Sequence, residues 1–353
     1  MSDNRLKLLT IPDALTYDDV LLVPQYSDIE SRQEVNLHSA LDEVLNIKLP
    51  IISSPMDTVT GTEMAATLAV LGGLPIVHRY NSVPEQAQII KDAIEMTDLI
   101  TAPIIGAAVG VSGDFEDRAA AAYDAGARVI CVDVAHGHHI LVKRALARLR
   151  RFGNDLHIMA GNVATLAGFN SLADWGADSV RCNIGSGSCC TTKIQTGHGV
   201  PGLQTILDCA ASDRDAKIIA DGGIRNSGDI VKALGAGADF VMLGSMLAGT
   251  NETPGRTIVH ADGTQRKVYR GMASRQAQED WRGRVSSLEG VATTVPCRGP
   301  VGNIIDFATQ GIRSGLSYSG ARTIQEFQAK ARFVRQTNAG QLESAPHILQ
   351  GPG

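Results

Sequence analysis

Asp178-Ser179-Val180-Arg181-Cys182-Asn183-Ile184, followed at once by Gly185-Ser186-Gly187-Ser188-Cys189-Cys190-Thr191-Thr192, is the stretch on which the fold turns. Its first half is a short apolar run without strict polar alternation, as expected of a buried parallel strand. Its second half opens with two glycines, which let the backbone bend tightly and approach a ligand. Cys190 falls on the exposed turn, with Thr192 two residues on. Thr196-Gly197-His198-Gly199 keeps the next stretch loose, and Val200-Pro201 opens a helix. A cysteine at the mouth of a strand, in a glycine-rich loop, is where an attacking thiolate would stand. Taken alone it reads equally well as a small buried side chain.

Seven further runs of the same kind surround this one: Leu49–Ser53, Leu74–His78, Pro103–Val109, Arg128–Val134, His157–Asn162, Lys217–Asp221 and Asp239–Leu243. Segments of helical periodicity separate them, among them Glu85–Glu95 and Glu116–Ala125. Ala125-Gly126-Ala127, Trp175-Gly176-Ala177 and Ala236-Gly237-Ala238 each precede a run, and each predicts a helix stop and a tight turn into a strand. One βα unit repeated eight times is the plan of a closed (β/α)8 TIM barrel. An open doubly wound sheet would usually bring a GxGxxG turn at its first strand, and none is present.

In such a barrel the active site gathers at the C-terminal strand ends. The chemistry-bearing residues collect there: Ser54-Pro55-Met56-Asp57 after the first run, Asp133 at the fourth, Asn162 at the fifth, Cys190 after the sixth, Asp221-Gly222-Gly223 at the seventh and Gly244-Ser245 after the eighth. Packing alone does not explain that segregation, and it favours a functional Cys190. Backbone N–H groups at the last two strand ends, with the hydroxyls of Ser188 and Ser245, can cradle a dianion. Asp221 repels phosphate but suits the donors of a ribose. His136, His138 and His139 on one short loop lack a third ligand at a second position, so they read as loop or cofactor contacts rather than a metal centre.

The 353 residues carry a formal net charge of −5, which gives no basic face for nucleic acid. No apolar run nears the roughly 20 residues needed to cross a membrane. The start lacks the plan of a signal peptide. Six cysteines without a CxxC pair are expected as free thiols in a cytoplasmic protein. The expected organisation is a single barrel over residues 1–353. Residues 250–300 fit no barrel repeat and are expected to form a lid or binding loop, carrying Arg275, Glu279, Asp280, Arg282, Arg284 and Glu289. Helical periodicity returns over 303–335, and Gln336–Gly353 is expected to order only against a partner.

Several of these stretches together resemble the inosine monophosphate dehydrogenase and guanosine monophosphate reductase family. They are Leu15–Leu22, Ser54-Pro55-Met56-Asp57-Thr58-Val59, Met159-Ala160-Gly161-Asn162-Val163, the Cys190 loop, Ile219-Ala220-Asp221-Gly222-Gly223-Ile224 and Tyr269-Arg270-Gly271-Met272. The resemblance implies that Cys190 adds to purine C2, assisted by Thr192. It implies a nucleotide pocket of Ser54, Met56, Ser188, Asp221, Gly222, Gly223, Gly244, Ser245, Tyr269, Gly271 and Met272, with Glu289 against the purine ring. Asp133, Asn162 and Arg181 would contact a nicotinamide cofactor, NADP(H) or NAD(H). The carbonyls of Gly185, Gly187 and Cys190 match a monovalent-cation (potassium) site, which Glu343 and Ser344 of a neighbouring subunit would complete. A homotetramer or larger closed oligomer is implied.

The lid is expected to decide direction. Dehydrogenases of the family usually insert a regulatory subdomain between strands two and three, where this chain has only Arg79–Ala102. They also carry an Arg-Tyr pair that activates water; here Arg284 is followed by Val285. Asp280–Val285, Ser31–Val35 and Ala236–Gly244 look reductase-like, whereas Phe333–Ser344 looks dehydrogenase-like. Arg275 stands where reductases place a glutamate, so Glu279 or Glu289 must supply the proton for ammonia release. The reading is a GMP reductase; the alternatives are an IMP dehydrogenase without the subdomain, with Arg284 activating water, and a non-catalytic purine-nucleotide-binding protein.

Overall fold

A computed structural model of the chain describes residues 11–97, 103–153, 155–286 and 288–344. Eight parallel strands form a closed barrel: Ile51–Ser53, Leu74–Val77, Gly106–Val109, Val129–Asp133, His157–Val163, Ser179–Cys182, Lys217–Asp221 and Phe240–Leu243. Closure is made where Val241, Met242 and Leu243 pair with Ile51, Ile52 and Ser53. Seven of the eight strands lie within the apolar runs expected from sequence, and the fifth passes the end of its run by one residue, Val163.

Strand pleat divides the core in two. Ile52, Leu74, Ile76, Val129, Met159, Ile219 and Phe240 fill the barrel interior, and their neighbours Ile51, Val77, Ile130, Ile158, Ile218 and Val241 pack outward under the helices. Burial on both faces explains why the runs are continuously apolar. Gly126, Gly176 and Gly237 have φ values of +111°, +100° and +112°, so the three repeated turns need the left-handed region that only glycine enters freely. Ser82 and Glu85 close a capping box at the start of the helix Val83–Glu95.

The lower end of the barrel is plugged by the hairpin Ser39–Ala40/Asn46–Ile47, whose Leu41 and Ile47 join the interior cluster. Asp42 in its turn accepts from buried His157, which also meets the Ser179 hydroxyl, at 2.8 and 2.9 Å.

Two expectations are corrected. The helical stretch ends early: helices Val301–Tyr318 and Ile324–Lys330 give way to a strand, Phe333–Arg335, which pairs antiparallel with Val20–Leu22. The tail is partly ordered by its own chain. Asn338–Glu343 is a short helix beside the Tyr17–Asp19 turn, with Gln336 N donating to the Asp19 carbonyl. The expected partner-ordered stretch beyond residue 344 lies outside the described residues.

Residues 250–300 are more regular than a loop. Ile258–Val259, Gln265–Arg270 and Ala292–Pro296 form an antiparallel sheet, and Arg275–Arg282 is a helix between the last two strands. The buried Lys267 ammonium pins this unit to the turn after the eighth strand, donating to the carbonyls of Thr250, Asn251 and Thr253 at 3.0, 2.9 and 2.7 Å. No helix among the described residues is long and apolar enough to cross a membrane.

One buried histidine gives the fold a pH dependence. His78, after the second strand, accepts from Tyr80 N, and burial pushes its pKa down to about 4. Asp57 opposes that shift, while Arg118 and Arg270 add to it. Because the folded pKa lies below the unfolded one, stability is full above about pH 6.5 and falls as pH drops toward 4. Between pH 7 and 5 the wild type is expected to lose about 2 kcal/mol more than His78→Asn. Urea midpoints at both pH values measure this; equal losses would remove His78 as the cause.

Candidate functional site

The C-terminal strand ends surround a cavity of about 370 Å³. Its reactive corner is built from two chain segments far apart in sequence. Cys190 Sγ donates to Thr192 Oγ1 at 3.1 Å, and the Thr192 hydroxyl donates to Glu289 Oε2 at 2.8 Å. The backbone explains how a lid residue arrives there. Thr191 N donates to the Glu289 carbonyl, Val291 N to the Cys189 carbonyl and Gly271 N to the Val291 carbonyl, each at 3.0 Å. That zipper needs bare backbone: a Cβ on Gly290 would stand 3.0 Å from Ser274 N, and one on Gly271 3.2 Å from the Cys189 carbonyl.

A charged network forms the opposite wall. The Arg181 guanidinium, buried in the barrel mouth, bridges two strand ends: NH1 donates to Asp133, while Nε and NH2 donate to Asp221 Oδ2 at 3.1 and 2.8 Å. Asn162 Nδ2 adds a bond to the same oxygen at 2.7 Å. Burial alone would raise the Asp133 carboxyl, but the charges of Arg181 and Arg79 outweigh it and hold the pKa below the ordinary value. Three donors converge on Asp221 Oδ2 and none of them on Oδ1, so Asp221 keeps an acceptor for hydroxyl donors.

The third wall suits a phosphate. Ser188 Oγ and Tyr269 OH meet at 2.9 Å, and Gly222 and Gly223 pass beneath the Cys190 loop with φ of +97° and +77°. Gly244 lies against the Met56 sulfur and the Tyr269 hydroxyl; a Cβ there would stand 3.2 Å from each. Burial raises the Tyr269 hydroxyl far above its ordinary pKa, so it remains a donor at neutral pH.

Sixteen expected site residues line the cavity: Ser54, Met56, Asp133, Asn162, Arg181, Gly185, Gly187, Ser188, Cys190, Thr192, Asp221, Gly222, Tyr269, Gly271, Met272 and Glu289. Gly223, Gly244 and Ser245 lie outside its lining, although Gly244 packs against the lining residues Ser54, Met56 and Tyr269. Glu279 and Arg284 do not reach it. Glu279 is exposed and faces Arg275 at 3.5 Å, and Arg284 is exposed. Glu343 and Ser344 end the helix near Tyr17–Asp19 and are not walls of the cavity in the same chain. His139 caps the helix Ile140–Leu149, and His138 packs against the Trp175 ring.

Sequence reading missed Arg79, Tyr80, Asn183 and Gln278, all of which line the cavity together with Arg282, one of the expected lid arginines. Tyr80 stacks on Trp281 of the lid helix at 4.2 Å, and Arg79 and Arg282 lie over the Trp281 ring at 5.4 and 5.1 Å. Tyr80 OH also donates to the Met272 carbonyl at 2.6 Å. The adjacent Arg79-Tyr80 in a short polar segment after a strand was the available signal, but only the stack says which face of the lid helix turns inward.

Comparison with known proteins places these features in a wider set. The family described as "IMP dehydrogenase / GMP reductase domain" matches residues 14–347. An inosine-5'-monophosphate dehydrogenase of Nitrosopumilus maritimus is 34% identical, with 95% of this chain and 98% of that protein covered. A GMP reductase of Leishmania major is 33% identical, covering 97% and 98%. Among solved structures, a cysteine-to-alanine variant of Trypanosoma brucei GMP reductase in complex with guanosine 5'-monophosphate superposes with a TM-score of 0.89. It has 33% identity and covers 97% of this chain and 99% of that one.

Proposed function

The chain belongs to the IMP dehydrogenase / GMP reductase family, and from that premise we propose that it is a GMP reductase, converting GMP to IMP and ammonia with a reduced nicotinamide cofactor. The observation that carries this reading is the Cys190–Thr192–Glu289 chain of hydrogen bonds under a short lid.

The Cys190 thiolate adds to C2 of the purine, which the two flanking ring nitrogens make electrophilic. Thr192 and Glu289 deliver a proton to the departing amino group, so that ammonia rather than an amide anion leaves. Ser188, Tyr269, Gly222, Gly223, Gly244 and Ser245 hold the phosphate, and Asp221 accepts from the ribose. Ser54, Met56, Gly271 and Met272 position the base.

A nicotinamide cofactor, NADPH by preference over NADH, supplies hydride when bound. The residues present fit it. Asp133 borders the cavity, no described residue donates to the Asn162 amide oxygen, and the Arg79 guanidinium lines the cavity with its Nε 3.6 Å from Asp133 Oδ2. Arg181 then acts chiefly by fixing Asp133 and Asp221. For potassium, the Gly185, Gly187 and Cys190 carbonyls form the proposed site, with Glu343 and Ser344 from a neighbouring subunit. The stem of Lys193 lies against Gly185 and Gly199 and brings a competing positive charge to that loop. We propose one catalytic barrel unit with residues 250–300 as its lid, assembled as a homotetramer or larger ring; a monomeric mass in light scattering at micromolar concentration would remove that assembly.

Absorbance of reduced nicotinamide tests the direction. Consumption of NADPH with GMP supports the reductase. Reduction of NAD with IMP, and silence with GMP, would replace it by the dehydrogenase. Binding without either would leave a nucleotide-binding protein. Asp221→Ala is expected to weaken nucleotide binding by about 1–3 kcal/mol, because ribose donors lose their acceptor. Unchanged affinity in titration calorimetry would move the ribose elsewhere.

A further inference from the structure

Six cysteines stand free in this protein, and two of them are neighbours at the reactive corner. We propose that Cys189 and Cys190 form an oxidative-modification site in which Cys189 captures the oxidised form of Cys190 as a vicinal disulfide. The loss of activity expected from this rests on Cys190 being the nucleophile; the thiol chemistry itself does not.

Both residues line the cavity, Cys190 partly exposed and Cys189 buried. The Cys190 thiol stands at Thr192, whereas the Cys189 side chain lies beside the hydroxyls of Ser188 and Tyr269. The other cysteines cannot take this part. Cys131, Cys182 and Cys209 are fully buried, and Cys297 follows the last strand of the lid sheet; none of the four lines the cavity. A thiolate in a solvent-reached pocket is the form that hydroperoxides oxidise. Burial raises the Cys189 thiol above its ordinary pKa, which keeps it protonated while Cys190 reacts.

The steps balance. Cys190 thiolate attacks the peroxide oxygen, the O–O bond breaks, and with one proton taken up the products are Cys190 sulfenic acid and an alcohol, or water from hydrogen peroxide. Cys189 sulfur then attacks the sulfenyl sulfur. The S–O bond breaks, and the hydroxide leaves as water with the Cys189 proton. Two thiols lose two electrons in total, and the hydroperoxide gains them.

Adjacent Cα atoms are fixed about 3.8 Å apart, below the roughly 4.4 Å at which unstrained disulfides begin. The resulting ring is strained, and strained disulfides are readily reduced. Oxidation would therefore be reversible by thiols, where an unprotected Cys190 would proceed to sulfinic acid. Closing the ring draws Cys190 Sγ from Thr192. It also disturbs the Cys189 carbonyl that receives Val291 N, so the lid is loosened with the nucleophile.

Treatment of the whole protein with hydrogen peroxide, followed by mass spectrometry of the tryptic peptide Cys182–Lys193, tests the proposal. The wild-type peptide is expected to lose two hydrogens, with fragments placing the bridge between Cys189 and Cys190, and dithiothreitol is expected to restore GMP reduction. Cys189→Ser, with Cys189→Ala as a second variant, is expected to gain two or three oxygens at Cys190 instead. Its irreversible inactivation should be at least about tenfold faster than wild type, each measured against its own untreated activity. Equal sulfinic acid in wild type and variants, or a bridge to Cys182, would overturn the proposal. A Cys189–Cys190 bridge that leaves GMP reduction intact would uphold it and overturn the nucleophile assignment instead.

Discussion

Cys190→Ala is expected to lower turnover by roughly 10⁴–10⁶-fold, the range over which removal of a nucleophile acts when no neighbour replaces it. Purine C2 then has nothing to add to it, and Thr192 and Glu289 are left as a proton relay without a covalent adduct. Nucleotide affinity should remain, because Ser188, Tyr269 and Asp221 are untouched. Cys189→Ala is the control. The Cys189 carbonyl, which holds the lid through Val291 N, is kept by any side chain. That variant should retain most of its turnover. Steady-state rates with GMP and NADPH decide between the two cysteines, and a dead Cys189→Ala beside an active Cys190→Ala would reverse the register of the loop.

Glu289→Gln should slow GMP reduction by about 10²–10⁴-fold, the usual contribution of a positioned general acid. The glutamine side chain keeps the length needed to meet the Thr192 hydroxyl at the observed 2.8 Å but has no proton to relay. Binding of GMP should change little, so the loss falls on kcat rather than KM. Glu279→Gln should leave the rate nearly as it was, since Glu279 is exposed and its ion pair with Arg275 is worth little in water. A normal rate in Glu289→Gln would remove the relay, and an impaired Glu279→Gln would bring the lid helix into the chemistry by another face.

The contrast between these two glutamates shows where sequence stops. Both lie on the lid, and both were candidates for the same proton. Spacing puts Glu279 one helical turn beyond Arg275, and the helix is indeed formed. Its phase about the axis is set by the Trp281 ring stacked on Tyr80 and by Arg270 bridging Asp57 and Asp280. Those contacts turn Gln278 and Arg282 to the cavity and leave Glu279 in solvent. The lid sheet was illegible for a related reason. Lys267, Tyr269 and Arg270 gain their places from pairing with residues 292–295, and such pairing leaves little trace in a local apolar pattern.

By itself the sequence determined the eight strands, the glycine turns between helices and strands, and the gathering of Cys190, Asp133, Asn162 and Asp221 at one end of the barrel. Each of these follows from short-range patterns: apolar runs buried on both faces, left-handed glycines and a repeated βα order. Only the tertiary structure decided that Glu289 meets Thr192 across 97 positions of chain, that Arg181 ties Asp133 to Asp221, and that Arg79 and Tyr80 complete the cavity. Those contacts join residues distant in the chain, and their free energy comes from closing one segment upon another, which no local window of residues encodes.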